Sequence, residues 1–244
     1  MDRIAVYTGT RNIYHDMVVA AKSLLCNDGA DLVVFLIEDQ EFPEPLPLCI
    51  DTLDVSQQSF FPVTGPNFKS QWSYMVLMRT VLSKLFPQCN KLLTLDHDTF
   101  VLKPIYDLWN IDLSRYYYAA VEEKQIRNRQ HSYFNCGVLL HNLKKLREDH
   151  TDDIIINSIN SVFLRYCEQD AINSVCARHI LEIPPKFNAM RFNIPPVPED
   201  SVIIKHYAAR SKPLRECPEY KRFDRLSWEQ VLDYQKEVRK NETL

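Results

Sequence analysis

Apolar and polar positions alternate along this chain in two rhythms. Residues 3–7 (Arg-Ile-Ala-Val-Tyr), 32–37, 116–121 and 134–140 (Phe-Asn-Cys-Gly-Val-Leu-Leu) are short, nearly unbroken apolar runs, the pattern of strands buried on both faces. Between the first two runs lie a polar turn, Thr8-Gly9-Thr10-Arg11-Asn12, and apolar residues at 17, 18, 21, 24 and 25. That spacing predicts a helix over 13–25. A strand–turn–helix–strand opening predicts a doubly wound α/β fold with its first turn at the carboxyl edge of the sheet. Pro43, Pro45 and Pro47 predict a stiff surface loop, and residues 50–55 a further strand. The aromatic and polar stretch 56–72 reads as a mobile loop near the site. A helix over 74–86, closed by Pro87, leads into the apolar run 92–95.

Farther on, Ile155, Ile159, Val162, Phe163 and Tyr166 mark one face of a helix, and residues 167–176 form another with an acidic start. Residues 180–183 and 202–204 read as short strands. Ser227-Trp228-Glu229-Gln230 is a capping box opening a last amphipathic helix to Val238. No internal repeat or low-complexity segment is present, and Gly, at 4 residues, is too scarce for flexible linkers. The expectation is one α/β domain over residues 1–244, with 214–244 as a C-terminal tail and helix packed on it.

The candidate chemistry gathers at the end of the run 92–95. Two carboxylates follow, Asp96 and Asp98, and alternation along an extended chain would put both on one side. Hard oxygen donors in that number suit Mg²⁺ or Mn²⁺ and leave coordination sites open for substrate oxygens such as phosphates. The bland alternative is a strand ending in a polar turn. Other residues have equally ordinary readings. Tyr14 is either a core ring or a platform for a base. Arg79 is either a solvated helix residue or a clamp for phosphate or hydroxyl. Glu168 and Asp170 suit a helix N-terminus without any further role.

Composition narrows the field. A chain of 244 residues with 45% hydrophobic content can bury a large core unaided. The net charge of −3 argues against general nucleic-acid binding. Residues 205–225 are the exception, with seven Lys or Arg against three Asp or Glu. A bound anion, or peripheral contact with anionic lipid, would account for them. The seven Cys are scattered without a Cys-x-x-Cys pair, and Cys26, Cys136 and Cys176 sit among apolar neighbours. No apolar run approaches the ~20 residues of a membrane span. The start runs into a strand without a signal peptide. The expectation is a cytoplasmic protein of a reducing compartment, with or without peripheral attachment at the inner membrane face.

Six landmarks, taken in order, resemble the retaining glycosyltransferases of family 8, the group that includes glycogenin and the bacterial lipooligosaccharide galactosyltransferases. They are Val-Tyr-Thr-Gly-Thr-Arg-Asn-Ile-Tyr at 6–14, Arg79, Asp96-His97-Asp98, the run 134–140, Glu168-Gln169-Asp170-Ala171-Ile172-Asn173, and His206 with Lys212-Pro213 beyond it. They span the chain from residue 6 to about 212, and residues 133–145 look especially close to the bacterial galactosyltransferase branch. The resemblance implies a GT-A fold, an α/β domain with a mixed central sheet. It implies transfer of a hexose, galactose or glucose, from a UDP-sugar to a glycan, lipid-linked or protein acceptor. It implies that Asp96, Asp98 and His206 hold Mn²⁺, with Mg²⁺ as the alternative, and that Lys212 contacts the same phosphates. By the same pattern Thr8, Thr10, Asn12 and Tyr14 hold uridine, and His97 belongs to the donor-binding signature. Arg79, Asn135, Glu168 and Gln169 surround the sugar, the last three as candidates for the catalytic step.

Four departures bear on the donor. Glu168 stands where the family usually has Asp. Ala209 or a neighbour stands where a Gly is usual between the His and the Lys. Leu214 replaces a common Trp, and Arg11 is unusual in the uridine turn. They motivate a rival reading, a non-catalytic binder of nucleotide sugars. A phosphatase of the haloacid dehalogenase type also carries an apolar strand before Asp-x-Asp. That class has Gly and then Thr after the second Asp, close to the N-terminus, whereas here Thr99-Phe100 follows nearly a hundred residues in.

Overall fold

The computed structural model describes residues 3–70, 72–125, 132–209 and 213–242. Chain order begins β1 (Ile4–Thr8), α1 (Tyr14–Cys26), β2 (Leu32–Ile37), β3 (Ile50–Asp54), α2 (Leu82–Leu85), β4 (Lys91–Leu95) and β5 (Thr99–Val101). It continues α3 (Tyr106–Trp109), β6 (Tyr118–Glu122), β7 (Phe134–Asn142), α4 (Leu143–Glu148), α5 (Thr151–Ser161) and α6 (Cys167–Cys176). Last come β8 (Ile180–Glu182), β9 (Ile204–His206), α7 (Pro218–Asp224) and α8 (Trp228–Glu242).

Seven strands form a mixed sheet in the order β3-β2-β1-β4-β7-β6-β8, and β5 and β9 form a separate antiparallel pair. β1, β2, β3 and β4 run parallel, and β7 enters antiparallel between β4 and β6. The chain moves outward from β1 to β3, then returns to lay β4 on the other side of β1. That reversal opens a crevice at the carboxyl ends of β1 and β4, where ligands of open α/β sheets bind.

Both faces of the sheet are covered, which is why its inner strands read as continuous apolar runs. One core layer holds α1 with Phe100, Phe223 and Val231; the other holds Leu77, Met78, Ile155, Ile159 and Ile172. α1 is buried along nearly its whole length, between the sheet and the C-terminal helices. The predicted capping box of α8 forms reciprocally: Ser227 N donates to Gln230 Oε1 at 2.9 Å, and Gln230 N donates to Ser227 Oγ at 3.2 Å. All seven cysteines are free thiols, and Cys26, Cys136 and Cys176 are buried as expected. No described helix is long and apolar enough to cross a membrane.

Three segments depart from the pattern reading. The helix expected over 74–86 is instead a 3-10 helix, Tyr74–Thr80, followed by the short α2. β-branched Val76, Thr80 and Val81 disfavour α-helix, and the tighter winding ends with Arg79 buried against the sheet. The amphipathic face over 155–166 is cut short, because α5 stops at Ser161 and leaves Val162 and Phe163 exposed. Asn67 explains both this break and the order of the stretch 56–70, expected to be mobile. Its buried amide donates to Ile159 O (2.6 Å) and Val162 O (2.8 Å) and accepts from Leu164 N (2.8 Å). Nearby, Phe61 is buried and Phe68 stacks on Tyr74 at 4.8 Å. Most of the basic loop 124–131 lies outside the described residues.

Replacing Asn67 with Ala removes three hydrogen bonds and strands the buried carbonyl of Ile159. Urea unfolding should show a loss of about 2–4 kcal/mol; a loss below about 0.5 kcal/mol would mean that water replaces the amide.

Candidate active site

A cavity of about 690 Å³ opens at the crevice between β1 and β4. Ten of the residues singled out in the sequence line it: Thr8, Thr10, Arg79, Asp96, His97, Asp98, Asn135, Glu168, Gln169 and His206. Two do not stand there. Tyr14 is buried, its ring stacked on Phe42 at 5.0 Å and its hydroxyl accepting from Glu38 N at 2.9 Å, so it packs the core rather than facing the cavity. Asn12 is exposed beside Thr10, whose hydroxyl donates to its side-chain oxygen, and it is not part of the lining. Lys212 lies outside the described residues.

Asp96 and Asp98 do not lie on one side of an extended strand, as alternation suggested. β4 ends at Leu95 and the chain turns at once, with Thr99 N and Thr99 Oγ1 both bonded to Asp96 O, at 3.1 and 2.7 Å. β5 follows and pairs Thr99 with His206 on β9. Tyr207 N closes the arrangement on Asp98 O at 3.0 Å. A tight turn and a cross-strand pair therefore bring the three side chains together. His206 Nε2 lies 3.2 Å from Asp98 Oδ1 and 3.7 Å from Asp96 Oδ2. Among the described residues, ligand atoms of Asp96, Asp98 and His206 all fall within 4.8 Å of one another. Two carboxylate oxygens and one imidazole nitrogen at that spacing fit a divalent cation.

Gly137 on β7 makes the room. A Cβ there would lie 2.2 Å from His206 Cε1 and 2.9 Å from Asn135 Oδ1. This is the physical reason for glycine within the run 134–140. The backbone of Gly137 also accepts from Asp96 N at 2.8 Å, tying the acid turn to the sheet.

Arg79 is the interior cation of the site. It is 5% exposed, donates through Nη2 to Asp96 Oδ1 at 2.5 Å and through Nη1 to Cys136 O, and faces Glu168 Oε1 with Nε at 3.5 Å. Burial opposes its charge, but Asp96 and Glu168 outweigh burial and hold it protonated. Glu168 behaves differently: burial pushes its carboxyl up to about 7, although Arg79 pulls the other way. For His206 burial favours the neutral ring, yet Asp98, Asp96 and Glu123 together raise its pKa above the ordinary value.

A polar wall faces this cluster. Asn135 Nδ2 donates to Glu123 Oε1 at 2.6 Å, and Gln169 Oε1 accepts from Cys136 N at 2.9 Å. Glu123, Gln125, Trp72, Tyr166 and Phe192 also line the cavity and were not singled out in the sequence. For Glu123 a signal existed, since a strand with Glu122-Glu123 at its end delivers a carboxylate to the edge where ligands bind. The aromatic residues carried none. Ala209, in the turn where the resemblance leads one to expect glycine, also lines the cavity and has φ +50°, the left-handed region that glycine adopts at least cost. A second cavity of about 270 Å³ adjoins the first across His206 and Ala208.

Residues 8–216 match the model of glycosyl transferase family 8, and the chain belongs to that family. A Haemophilus influenzae protein with a provisional glycosyltransferase name is 30% identical over 174 residues, which cover 60% of this chain and 51% of that protein. General stress protein A of Bacillus subtilis is 29% identical over 114 residues, 42% of this chain and 40% of that protein. The aligned stretches thus span about half or less of those relatives. Among solved structures, the galactosyltransferase LgtC, in complex with donor and acceptor sugar analogues, superposes with a TM-score of 0.69 at 24% identity, covering 90% of this chain and 93% of its own. The glycosyltransferase GlyE of Streptococcus pneumoniae gives 0.74 at 20% identity, covering 98% of this chain and 64% of its own. At these identities the likeness speaks for the fold, which is the GT-A fold.

Two outcomes follow from this geometry. Gly137→Ala should cost about 1–3 kcal/mol through overpacking and weaken divalent-cation binding measured by calorimetry; wild-type values for both would show that the ring has room to move. Glu168 holds its proton more tightly in the folded protein than in the unfolded chain. It therefore works against folding as pH rises from about 4.5 through about 7. In metal-free protein, Glu168→Gln should raise Tm over wild type at pH 8 and leave it nearly unchanged at pH 4.5. An identical gain at both pH values would place the carboxyl's titration in the ordinary range.

Proposed function

We propose that this chain is a retaining hexosyltransferase that moves galactose or glucose from a UDP-sugar to a glycan, lipid-linked or protein acceptor, with Mn²⁺ as the cation. The observation that carries the reading is the convergence of Asp96, Asp98 and His206 on a cavity bounded by Thr8 and Thr10 at the sheet's switch point. The donor and acceptor analogues held by LgtC support sugar substrates in the corresponding cleft.

Asp96, Asp98 and His206 would hold the ion, which supplies Lewis-acid stabilisation of the charge gathering on the leaving diphosphate. A mixed carboxylate and imidazole set favours Mn²⁺ over Mg²⁺. Lys212 would add a second positive charge on the same phosphates. Thr8 and Thr10 would border the nucleoside, with Asn12 at the outer edge of that turn. Buried Arg79, already committed to Asp96 and Glu168, holds the acid turn against the sheet and orients both carboxylates toward the sugar. As the anomeric carbon gains positive character, Glu168 and Gln169 set the electrostatics of the face it exposes. Gln169 Oε1 accepts from Cys136 N at 2.9 Å and lies 3.4 Å from Asn135 Nδ2. That engagement favours a positioning role for Gln169 over direct attack on the sugar. Glu123 and Asn135 offer polar contacts to the sugar hydroxyls.

The test is release of UDP from a panel of UDP-sugars with Mn²⁺, with and without glycan acceptors. Asp98→Ala should lower kcat/KM by about a hundredfold or more and weaken UDP binding. Gln169→Ala should slow transfer about ten- to a hundredfold while leaving UDP affinity nearly intact. Unchanged metal-dependent turnover in Asp98→Ala would put the site elsewhere. Binding of donors without turnover in every combination would favour a nucleotide-sugar-binding protein.

A further inference from the structure

Asn188 was not singled out in the sequence and does not line the cavity. It follows the 3-10 turn Pro185–Phe187 and is 0% exposed. Its Oδ1 lies 2.8 Å from His206 Nδ1, and its Nδ2 donates to Asn135 Oδ1 at 2.8 Å. The backbone clamps the two partners together, because His206 N donates to Ala189 O at 3.0 Å and Ala189 N donates to Ile204 O at 2.8 Å.

The direction of each hydrogen bond follows from two fixed ends. Asn135 Oδ1 accepts from the backbone N–H of Gly137 at 2.9 Å, so that atom is an oxygen. Asn135 Nδ2 donates to the carboxylate of Glu123 at 2.6 Å, so the other is a nitrogen. With the amide of Asn135 set, the atom of Asn188 facing its oxygen is the NH₂, and the atom facing His206 is the carbonyl oxygen. A carbonyl only accepts, so His206 Nδ1 carries a hydrogen. In the neutral ring Nε2 is then bare, and it is the nitrogen that faces Asp98 and Asp96. A ring with its only proton on Nε2 would leave two acceptors, Asn188 Oδ1 and Nδ1, facing each other, whereas a bare Nε2 suits a cation seated between it and the carboxylates of Asp98 and Asp96.

We propose that Asn188 is a positioning residue that fixes His206 in the Nδ1–H tautomer, aims its Nε2 lone pair at the cation site, and couples that ligand through Asn135 to the wall of the sugar pocket. The metal half of this inference rests on the metal-dependent reading of the site. Partners of this kind around a ligating imidazole commonly govern metal affinity by ten- to a hundredfold.

Two substitutions separate positioning from packing. Asn188→Leu keeps similar bulk and removes both bonds. Asn188→Asp keeps an acceptor for His206 Nδ1–H and loses the donor to Asn135. Mn²⁺ affinity of the full chain is read by electron paramagnetic resonance, with folding checked by circular dichroism. Asn188→Leu should bind Mn²⁺ ten- to a hundredfold more weakly. Asn188→Asp should bind it as well as wild type or better, yet show a raised KM for the UDP-sugar as Asn135 is displaced. Equal loss of Mn²⁺ affinity in both, or none in Asn188→Leu, overturns the proposal.

Histidine ring ¹⁵N spectra of the wild-type protein loaded with a diamagnetic divalent cation, Mg²⁺, give a check that needs no variant. A protonated Nδ1 and bare Nε2 on His206 support the inference, and the reverse tautomer overturns it. A wild-type protein that binds neither cation, yet keeps a hydrogen on Nδ1 of the metal-free ring, would support the role of Asn188 and overturn only the metal-dependent reading.

Discussion

Thr99 and His206 are more than a hundred residues apart in sequence, and the site exists because they are cross-strand neighbours. The pairing of β5 with β9 involves three residues on each strand, yet it sets the imidazole of one strand against the acid turn that precedes the other. Gly137 admits the ring from beneath, and Tyr207 N locks the turn from above through Asp98 O. Loss of this short pair would leave the large sheet paired as before while scattering the three ligand atoms. The cluster of Asp96, Asp98 and His206 is therefore held by an element peripheral to the main sheet.

Electrostatics makes the same constellation tolerable within the protein. Asp96, Asp98, Glu123 and Glu168 crowd one cavity, and mutual repulsion would raise their energy in a poorly solvated site. Arg79 relieves Asp96 and Glu168 from the buried side, while His206 faces Asp98. Glu168 takes a second route, since burial leaves it poised between charged and neutral forms near pH 7. From the first turn of α6 its carboxylate lies 3.5 Å from Arg79 Nε.

Much of this architecture was legible in the sequence, and the physical reason is burial. Strands covered on both faces are continuous apolar runs, so residues 32–37 and 134–140 could be recognised without their neighbours. The capping box at Ser227 was legible because its bonds are local. What escaped depends on contacts distant in sequence. Asn67 ends α5 from nearly a hundred residues away, and Phe42 takes the ring of Tyr14 that otherwise resembles a base platform. The break in the helix over 74–86 comes with the long-range bond of buried Arg79 to Asp96, which no local pattern announces. Within the site, the acids were found through their spacing, although a turn and not alternation brings them together. Asn188, an amide in an unremarkable stretch, carried no pattern at all.

The two oxygens of Asp96 have different employers. Oδ1 is claimed by the guanidinium at 2.5 Å, and Oδ2 alone turns toward the imidazole. A carboxylate so divided can lend an ion one atom, not a chelating pair. A cation held there would draw one oxygen from Asp96 together with donors from Asp98 and His206, and would leave room for oxygens from substrate or water. The arginine thus limits how many oxygens the polypeptide could offer such an ion, and a substitution at residue 79 would free the second oxygen of Asp96.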